Sequence, residues 1–586
     1  MLIFQPEGVS YINKEGESVL ESAKNAGIFC ENICGGRGTC GKCRVKVEIG
    51  EFRPVTREEE EHFTKEELAA GYRLACCLYP KFWFKTCEIL IEPVEEKKTV
   101  HFEKEGEGLA FFQQRCSMDN RKEEKMGEHG DKTGNWQEVN PDSALEGEHH
   151  YGMAVDIGTT NIEGLLFNLE NGACVARILQ PNPQQKYGGD VVSRIAYGVE
   201  SKIHFDELCS ILKDTIEDMA KMFMGDAKGV LEKVAIAGNA TMMHFFAGED
   251  VSGFTKAPYL STYKEGRCVD GINGAKVYLL PNIESFVGAD TVGVLLYLEK
   301  MFQCQNCNFG IEKGQKVLII DIGTNGELIL QVDGQNYVSS TSAGPAFEGA
   351  TMIYGMRAEK GAITGISFEK EKNHQCQKGY TLQVVGEERP KGICGSGYIE
   401  IVAKLYGMGV IEKTGYLLSK KEAEEKGLPQ YITDSLRDSE YGTAFELYKD
   451  TQGEVLLTQK DIRELQLAKG AIVAGVHTML AKCHLKPEDL DRCYLAGAFG
   501  TYLNGECAKL IGLLPDIPTE KIIPIGNGAL LGTCRVLLEE GSFELADKMA
   551  AEAKHISLSE EKDFRDAYIR GMNLGEKLEN GSCSES

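Results

Sequence analysis

The sequence predicts an α/β multidomain protein: a small α+β unit at the front and a much larger, two-lobed α/β body behind it. Three observations predict this. The chain has 586 residues, too many for one hydrophobic core, so two to four domains are expected. Closely spaced cysteines and glycines from Cys34 to Cys43 are flanked by short alternating apolar stretches. Two similar stretches, MAVDIGTTNIEGLLFNL from Met153 and VLIIDIGTNGELILQVDG from Val317, signal an internal duplication.

Composition sets the outer bounds. Apolar residues make up 42% and charged residues 26%, the ordinary balance of a globular protein. No run of eighteen apolar residues occurs, so no membrane span is expected. The start, MLIFQPEGVSYINKEGE, lacks the basic, apolar and small-residue segments of a secretory signal, so a cytoplasmic protein is expected. A formal charge of −25 argues against nucleic-acid binding, which needs a basic face. It suits solubility, or docking on a basic partner. Twenty cysteines in a reducing compartment do not imply a disulfide framework, and most read as small buried hydrophobes.

The front unit is expected over residues 1–96. VSYINKEGESVLESAKNAG reads as a strand, a turn and a short amphipathic helix, and CRVKVEIGE and CEILIEPVE alternate as strands. The run CGGRGTCGKC spaces Cys34, Cys40 and Cys43 with gaps of five and two residues; RLACCLYP later adds Cys76 and Cys77. A zinc ribbon usually carries two CxxC pairs, and only one is present here, so zinc is the less natural occupant. Three thiols on one loop with a distant fourth match a plant-type [2Fe–2S] site, apart from the longer first gap. The glycines let such a loop turn tightly and aim backbone N–H groups inward. The acidic run TREEEEHFTKEE reads as a solvated helix face or a docking face for a redox partner.

Residues 97–150 are polar and weakly periodic, too poor in apolar surface to offset chain entropy, and read as a flexible linker. A chain of that length has an end-to-end distance of roughly 40 Å, enough for a redox domain to swing between donor and acceptor. The short tail 576–586 is expected to be disordered.

In the body, each DIGT stretch reads as strand, tight turn, strand. Each places a carboxylate, Asp156 or Asp321, beside a glycine, Gly158 or Gly323, that lets backbone approach a phosphate. Thr159, Thr160, Thr324 and Asn325 supply adjacent donors, and the carboxylates suit Mg²⁺ or an attacking water. Further glycine turns follow at Gly238-Asn239, at Gly395-Ser396-Gly397 before a helix, and at Gly497-Ala498-Phe499-Gly500 after a strand. No GxxxxGK[ST] motif occurs, which excludes a Walker-type NTPase. His244, in MMHFF, reads as a core histidine, and the lone CQNC at Cys304–Cys307 as a polar loop.

These motifs carry a resemblance. The front unit resembles the ferredoxin family (β-grasp fold), with a first gap like the adrenodoxin branch. By that resemblance Cys34, Cys40, Cys43 and Cys76 are the cluster ligands, with Cys77 the rival to Cys76. The body resembles the actin, Hsp70 and sugar-kinase superfamily of ATPases (ASKHA), with motif order like the dehydratase activators. This implies that residues 156–160 and 321–325 are phosphate loops, that Gly238 and Asn239 lie near the closing cleft, and that Gly497–Gly500 form the adenosine turn. Gly395, Ser396 and Gly397 would form another turn near the nucleotide.

The combination is similar to the reductive activators of corrinoid proteins, and NPQQKYGGDVVSRI, ESFVGADTVGVL, SAGPAFEGATMIYGM and QLAKGAIVAG extend the likeness through the folded sequence. In that family residues 151–224 can count as a middle domain before an ATPase core, 225–575; the duplication instead makes them the start of the first lobe. The resemblance implies ATP-dependent return of inactive Co(II) to Co(I) by one electron from a [2Fe–2S] cluster. ATP and Mg²⁺ are the expected cofactors. A corrinoid protein of a methyltransferase system, a low-potential electron donor and a second copy in a homodimer are the expected partners. Rival readings are a small-molecule kinase with a ferredoxin regulatory domain, a non-catalytic electron carrier, and a radical-dehydratase activator, which would carry a [4Fe–4S] cluster and no ferredoxin domain.

Overall fold

Each Asp-Ile-Gly-Thr turn joins two antiparallel strands at the heart of its own sheet. In the computed structural model the described residues are 1–91 apart from 7, 15, 29, 31–35, 39–40 and 82–85, the backbone of 101–103, and 149–576 apart from 226–228, 304–309, 312–313, 350, 369–378, 498–499 and 501–502. Most of the expected linker, Cys304–Cys307 and nearly all of the expected tail therefore lie outside the described residues.

The front domain is a five-stranded sheet of β1 (Leu2–Gln5), β2 (Val9–Tyr11), β3 (Arg44–Ile49), β4 (Tyr72–Leu74) and β5 (Cys87–Leu90), ordered β2-β1-β5-β3-β4. β1 and β5 run parallel; the other pairs are antiparallel. The helix Val19–Asn25 starts at Ser18, whose hydroxyl and the Glu21 carboxylate satisfy each other's backbone N–H groups. Its Val19, Leu20 and Ala23 share one core with Leu2, Phe4, Val45 and Ile89. This is the ferredoxin-like β-grasp arrangement the sequence predicts.

The first lobe of the body is a seven-stranded sheet of β6 (His101–Glu103), β7 (His149–Ile157), β8 (Asn161–Asn168), β9 (Cys174–Pro181), β10 (Gly229–Gly238), β11 (Arg267–Asp270) and β12 (Lys276–Leu279). Its order is β11-β12-β10-β7-β8-β9-β6. β10 pairs along β7, so the strands on either side of residue 224 lie in one sheet.

The second lobe opens with β13 (Val317–Ile322), β14 (Gly326–Val332) and β15 (Gln335–Thr341). Two small sheets follow, one of β16 (Ala362–Phe368), β17 (Tyr380–Val384) and β18 (Gly392–Ile393), the other of β19 (Leu436–Ser439), β20 (Gly442–Asp450) and β21 (Gly453–Thr458). β22 (Arg492–Ala496), β23 (Ile522–Gly526) and β24 (Lys554–His555) complete the main sheet, ordered β23-β22-β13-β14-β15-β24. In both lobes the DIGT strand has a parallel neighbour on one side and an antiparallel meander on the other. The repeated motif is thus a repeated topology, and the body is the two-lobed ASKHA fold.

The lobes exchange chain. After β23, Asn527 caps the helix Gly528–Leu538, whose Ala529, Leu530 and Leu531 belong to the first lobe's core; β24 then rejoins the second lobe's sheet. No helix among the described residues is long and apolar enough to cross a membrane.

Candidate functional site

The apolar strands β7 and β13 carry Asp156 and Asp321 one residue before their ends, so each buried run delivers a carboxylate to the edge of its lobe. The two turns meet. Thr160 Oγ1 and Thr324 Oγ1 lie 3.3 Å apart. Asp156, Asp290, Asp321 and Glu327 stand near enough to repel one another. Burial first, and neighbouring carboxylates after it, raise Asp156 to about 8 and Asp321 to about 7. Burial raises Asp290 to about 6, and burial with the charges of Asp290 and Asp321 lifts Glu327 well above the usual carboxylate range. A site that holds protons this firmly is short of positive charge.

Side chains from distant segments fix the first turn. Asn182 Nδ2 donates to Gly158 O at 2.8 Å. The fully buried Arg194 donates Nη2 to Thr159 O at 2.6 Å and Nε to Gly188 O at 2.8 Å. Asn239, at the end of β10, caps the helix Ala240–Ala247 and donates to Thr159 Oγ1 at 3.0 Å, so Gly238 and Asn239 do reach the first turn. Asn527 Nδ2 donates to Asp156 Oδ2 at 3.0 Å and to Glu163 Oε2 at 2.9 Å, tying the crossover between lobes to the first carboxylate.

The second turn is closed by Gly497. Its φ is +84°, and a Cβ there would stand 2.6 Å from Asp321 Oδ1, so only glycine fits without displacement. Ala498 and Phe499 lie outside the described residues, and Gly500 packs against Leu495. Gly395, Ser396 and Gly397 open the buried helix Gly395–Gly407, and a Cβ on Gly397 would meet Ile363 O. Among the described residues their contacts run within the second lobe, not to the two DIGT turns. Glu400 on the same helix accepts from Asn504 at 3.3 Å, which sets this helix beside the chain leaving the 497–500 turn.

Among the described residues no three His, Cys, Asp or Glu side chains are arranged to hold a metal ion by themselves. The carboxylates are instead shared between two lobes. That fits Mg²⁺, which keeps its waters and is commonly held by one or two carboxylates and a substrate's phosphate oxygens.

In the front domain Cys43 and Cys76 are buried with their sulfurs 3.3 Å apart, and Cys77 Sγ is 3.8 Å from Cys76 Sγ. Cys34 and Cys40 lie outside the described residues. Gly36, Gly38 and Gly41 have φ of +89°, +74° and +69°, the left-handed turns the cysteine loop calls for. Burial, then the neighbouring Cys76, pushes the Cys77 thiol up to about 12. Thiols that converge beside a glycine-turned loop fit a thiolate-ligated iron cluster. The acidic run is not wholly solvated. Glu59 is buried and accepts from Arg73 at 2.7 and 2.8 Å, from Leu74 N and from Thr56 N, anchoring β4 just before Cys76. His244 is a core residue, with Nδ1 on Ala240 O and an edge-on contact to Phe254.

Sequence reasoning missed Asn182, Arg194, Asp290, Glu327, Glu348 and Asn527. Asn182 and Arg194 sit in NPQQKYGGDVVSRI, Asp290 in ESFVGADTVGVL and Glu348 in SAGPAFEGATMIYGM, stretches that stood out without a role attached.

Comparison with known proteins adds to this geometry. Family models match in chain order: the 2Fe-2S iron-sulfur cluster binding domain over residues 2–81, the RACo middle region over 151–302, and the C-terminal domain of RACo, the ASKHA domain, over 315–580. The corrinoid activation enzyme RamQ of Eubacterium limosum is 31% identical over 441 residues, spanning 73% of this chain and 71% of that protein. This chain belongs to the corrinoid-activator family. Another relative of this family member, the [Co(II) methylated amine-specific corrinoid protein] reductase of Methanosarcina barkeri, is 25% identical over 457 residues, 72% of this chain and 76% of that one. A solved structure described as a reductive activator for corrinoid,iron-sulfur protein aligns over 98% of both chains at 27% identity with a TM-score of 0.64. As a corrinoid activator the chain is an enzyme of the iron–sulfur reductase kind, with a [2Fe–2S] domain ahead of an ASKHA body.

Proposed function

We propose that this enzyme binds MgATP between its lobes and uses it to return the cobalt of a corrinoid protein from inactive Co(II) to Co(I) by one-electron transfer. The observation that carries the reading is the meeting of two acidic DIGT turns across the interlobe cleft, Thr160 and Thr324 hydroxyls 3.3 Å apart, in a chain that also brings Cys43 and Cys76 together. The relatives named as corrinoid activator and corrinoid protein reductase support the same target.

Cys34, Cys40, Cys43 and Cys76 are the proposed ligands of a [2Fe–2S] cluster, which when bound supplies a one-electron carrier near about −400 mV. The Glu59–Arg73 pair fixes the strand that presents Cys76. Asp156 and Asp321 take Mg²⁺, directly or through water. Thr159, Thr160, Thr324, Asn325 and the backbone at Gly158 and Gly323 donate to phosphate oxygens, and Gly238 with Asn239 holds the first turn in shape. The segments 395–397 and 497–500 face the nucleoside.

The chemical problem is the direction of the electron. The Co(II)/Co(I) couple lies below a ferredoxin's, and each deficit of about 59 mV is a factor of ten against transfer. Nucleotide-driven rearrangement of the lobes favours a complex in which the corrinoid's cobalt accepts the electron more readily. Nucleotide shifts this equilibrium because a phosphate seated between the turns replaces the contacts that Thr160 and Thr324 now make with each other and with Glu348, so the two arrangements bind it with different affinity. A low-potential donor reloads the front domain, and a cytoplasmic homodimer is the proposed form.

The test uses protein purified without oxygen. Iron and acid-labile sulfide are expected in equal amounts, with ATP hydrolysis stimulated by a Co(II) corrinoid protein. Phosphorylation of a small molecule, indifferent to added corrinoid protein, would replace this reading with the kinase.

A further inference from the structure

One carboxylate in the cleft is bonded to both DIGT turns at once. Glu348 ends the short turn Pro345–Glu348 that follows β15, a turn bracketed by Gly344 and Gly349, both with left-handed φ. Its Oε2 accepts from Thr160 Oγ1 at 2.6 Å and its Oε1 from Thr324 Oγ1 at 2.7 Å. The two hydroxyls come from opposite lobes, so the carboxylate is centred where the turns meet. Among the described residues no lysine or arginine forms an ion pair with it; the buried Arg194 feels its charge from behind the first turn. The placement is fixed from the far side too, because Ile353 N donates to the buried Asp461 at 2.7 Å and holds the segment against the helix Gln459–Lys482.

We propose that Glu348 is the catalytic residue that orients and deprotonates the water attacking the nucleotide's terminal phosphate. This rests on the reading of the cleft as a nucleotide site. A terminal phosphate seated between the turns needs the hydroxyls of Thr160 and Thr324 for its own oxygens. Glu348 then loses both donors while its backbone stays in place, and a water beside the phosphate becomes its donor. The water oxygen forms a bond to the terminal phosphorus and the bond from that phosphorus to the bridging oxygen breaks. The nucleoside diphosphate leaves with that electron pair, and the water's proton passes to Glu348 and then to solvent. Asp156 and Asp321 are committed to the metal in this arrangement, and Glu348 is the carboxylate that both turns' threonine hydroxyls address, so it stands beside the water whose proton is lost.

The experiment compares native protein with Glu348→Gln and Glu348→Asp, each with its cluster, by binding of a fluorescent ATP analogue, by turnover, and by melting temperature. Glu348→Gln is expected to fold and to bind nucleotide at least as tightly as native, since a competing negative charge is gone. Its turnover is expected to fall about 10²–10⁴-fold, while Glu348→Asp, which keeps a carboxylate, recovers part of the rate. Native-like turnover in Glu348→Gln overturns the assignment. So does loss of binding together with turnover in a folded variant, which would make Glu348 a clasp between the turns. Native protein that binds no nucleotide overturns the cleft reading and this one together, and shows it before any substitution is made.

Discussion

Asp156 is a carboxyl that water would ionise at neutral pH and that this cleft keeps protonated. Burial and the surrounding carboxylates hold it at about 8, with Asp321 at about 7, against about 4 in an unfolded chain. The folded protein therefore keeps protons that the unfolded chain has lost, and unfolding releases them. The pair's contribution to stability is greatest below pH about 4 and declines as pH rises through about 7 to about 8. A divalent cation reverses that loss by favouring the ionised forms. Added Mg²⁺ should thus raise the melting temperature of nucleotide-free protein more at pH 8 than at pH 6; an equal or opposite effect would place the cation elsewhere. The thiols make a second prediction at this scale. Cys76 is the one within 3.3 Å of Cys43, so Cys76→Ser should lose iron and the visible spectrum of the cluster, while Cys77→Ser should keep both. The reverse result in iron analysis would exchange their roles.

Among elements, β4 is three residues long and depends on the Glu59–Arg73 pair for its position. Removing one partner of a buried ion pair costs about 3–5 kcal/mol, a large share of what so small a domain has to spare. Arg73→Met is expected to unfold the front domain and release iron while the body, with its own cores, melts as before; retention of iron on anaerobic gel filtration would show that β4 needs no such anchor. The elements also show what the sequence made legible. β7, β8, β13 and β14 were readable because each is a continuous apolar run bounded by a turn whose residues are unusual in themselves. The cysteine loop was readable from spacing, and the helix after Ser18 from its amphipathic period. Asn527, Arg194 and Glu348 were not. Each acts on a turn far away in sequence, through one hydrogen bond or two, and no local pattern of composition or periodicity encodes such a meeting. Glu59 was misjudged for a related reason: in a run of four glutamates, only folding shows which one finds an arginine.

At the scale of the whole molecule, the chain crosses between lobes near residue 527 and returns at β24, so anything that pulls Asp156 and Asp321 together also moves the crossover that Asn527 ties to Asp156. Described residues of the front domain touch both lobes. Arg37, on the cysteine loop, pairs with Asp190 at 3.3 Å, and His62 meets Lys460 at 3.5 Å. An exposed ion pair such as Arg37–Asp190 contributes roughly 0–1 kcal/mol. Asp190 also caps the helix that carries Arg194, and Lys460 adjoins Asp461, which holds the Glu348 segment. Both contacts thus abut elements that shape the cleft. The account's central claim is that reducing power from the thiol site becomes sufficient only through rearrangement at the nucleotide cleft. Its most direct test is optical: reduced protein is mixed without oxygen with a Co(II) corrinoid protein, and the Co(I) spectrum is followed with and without MgATP. The account predicts Co(I) with MgATP and little or none without it, and equal yields in the two would contradict it.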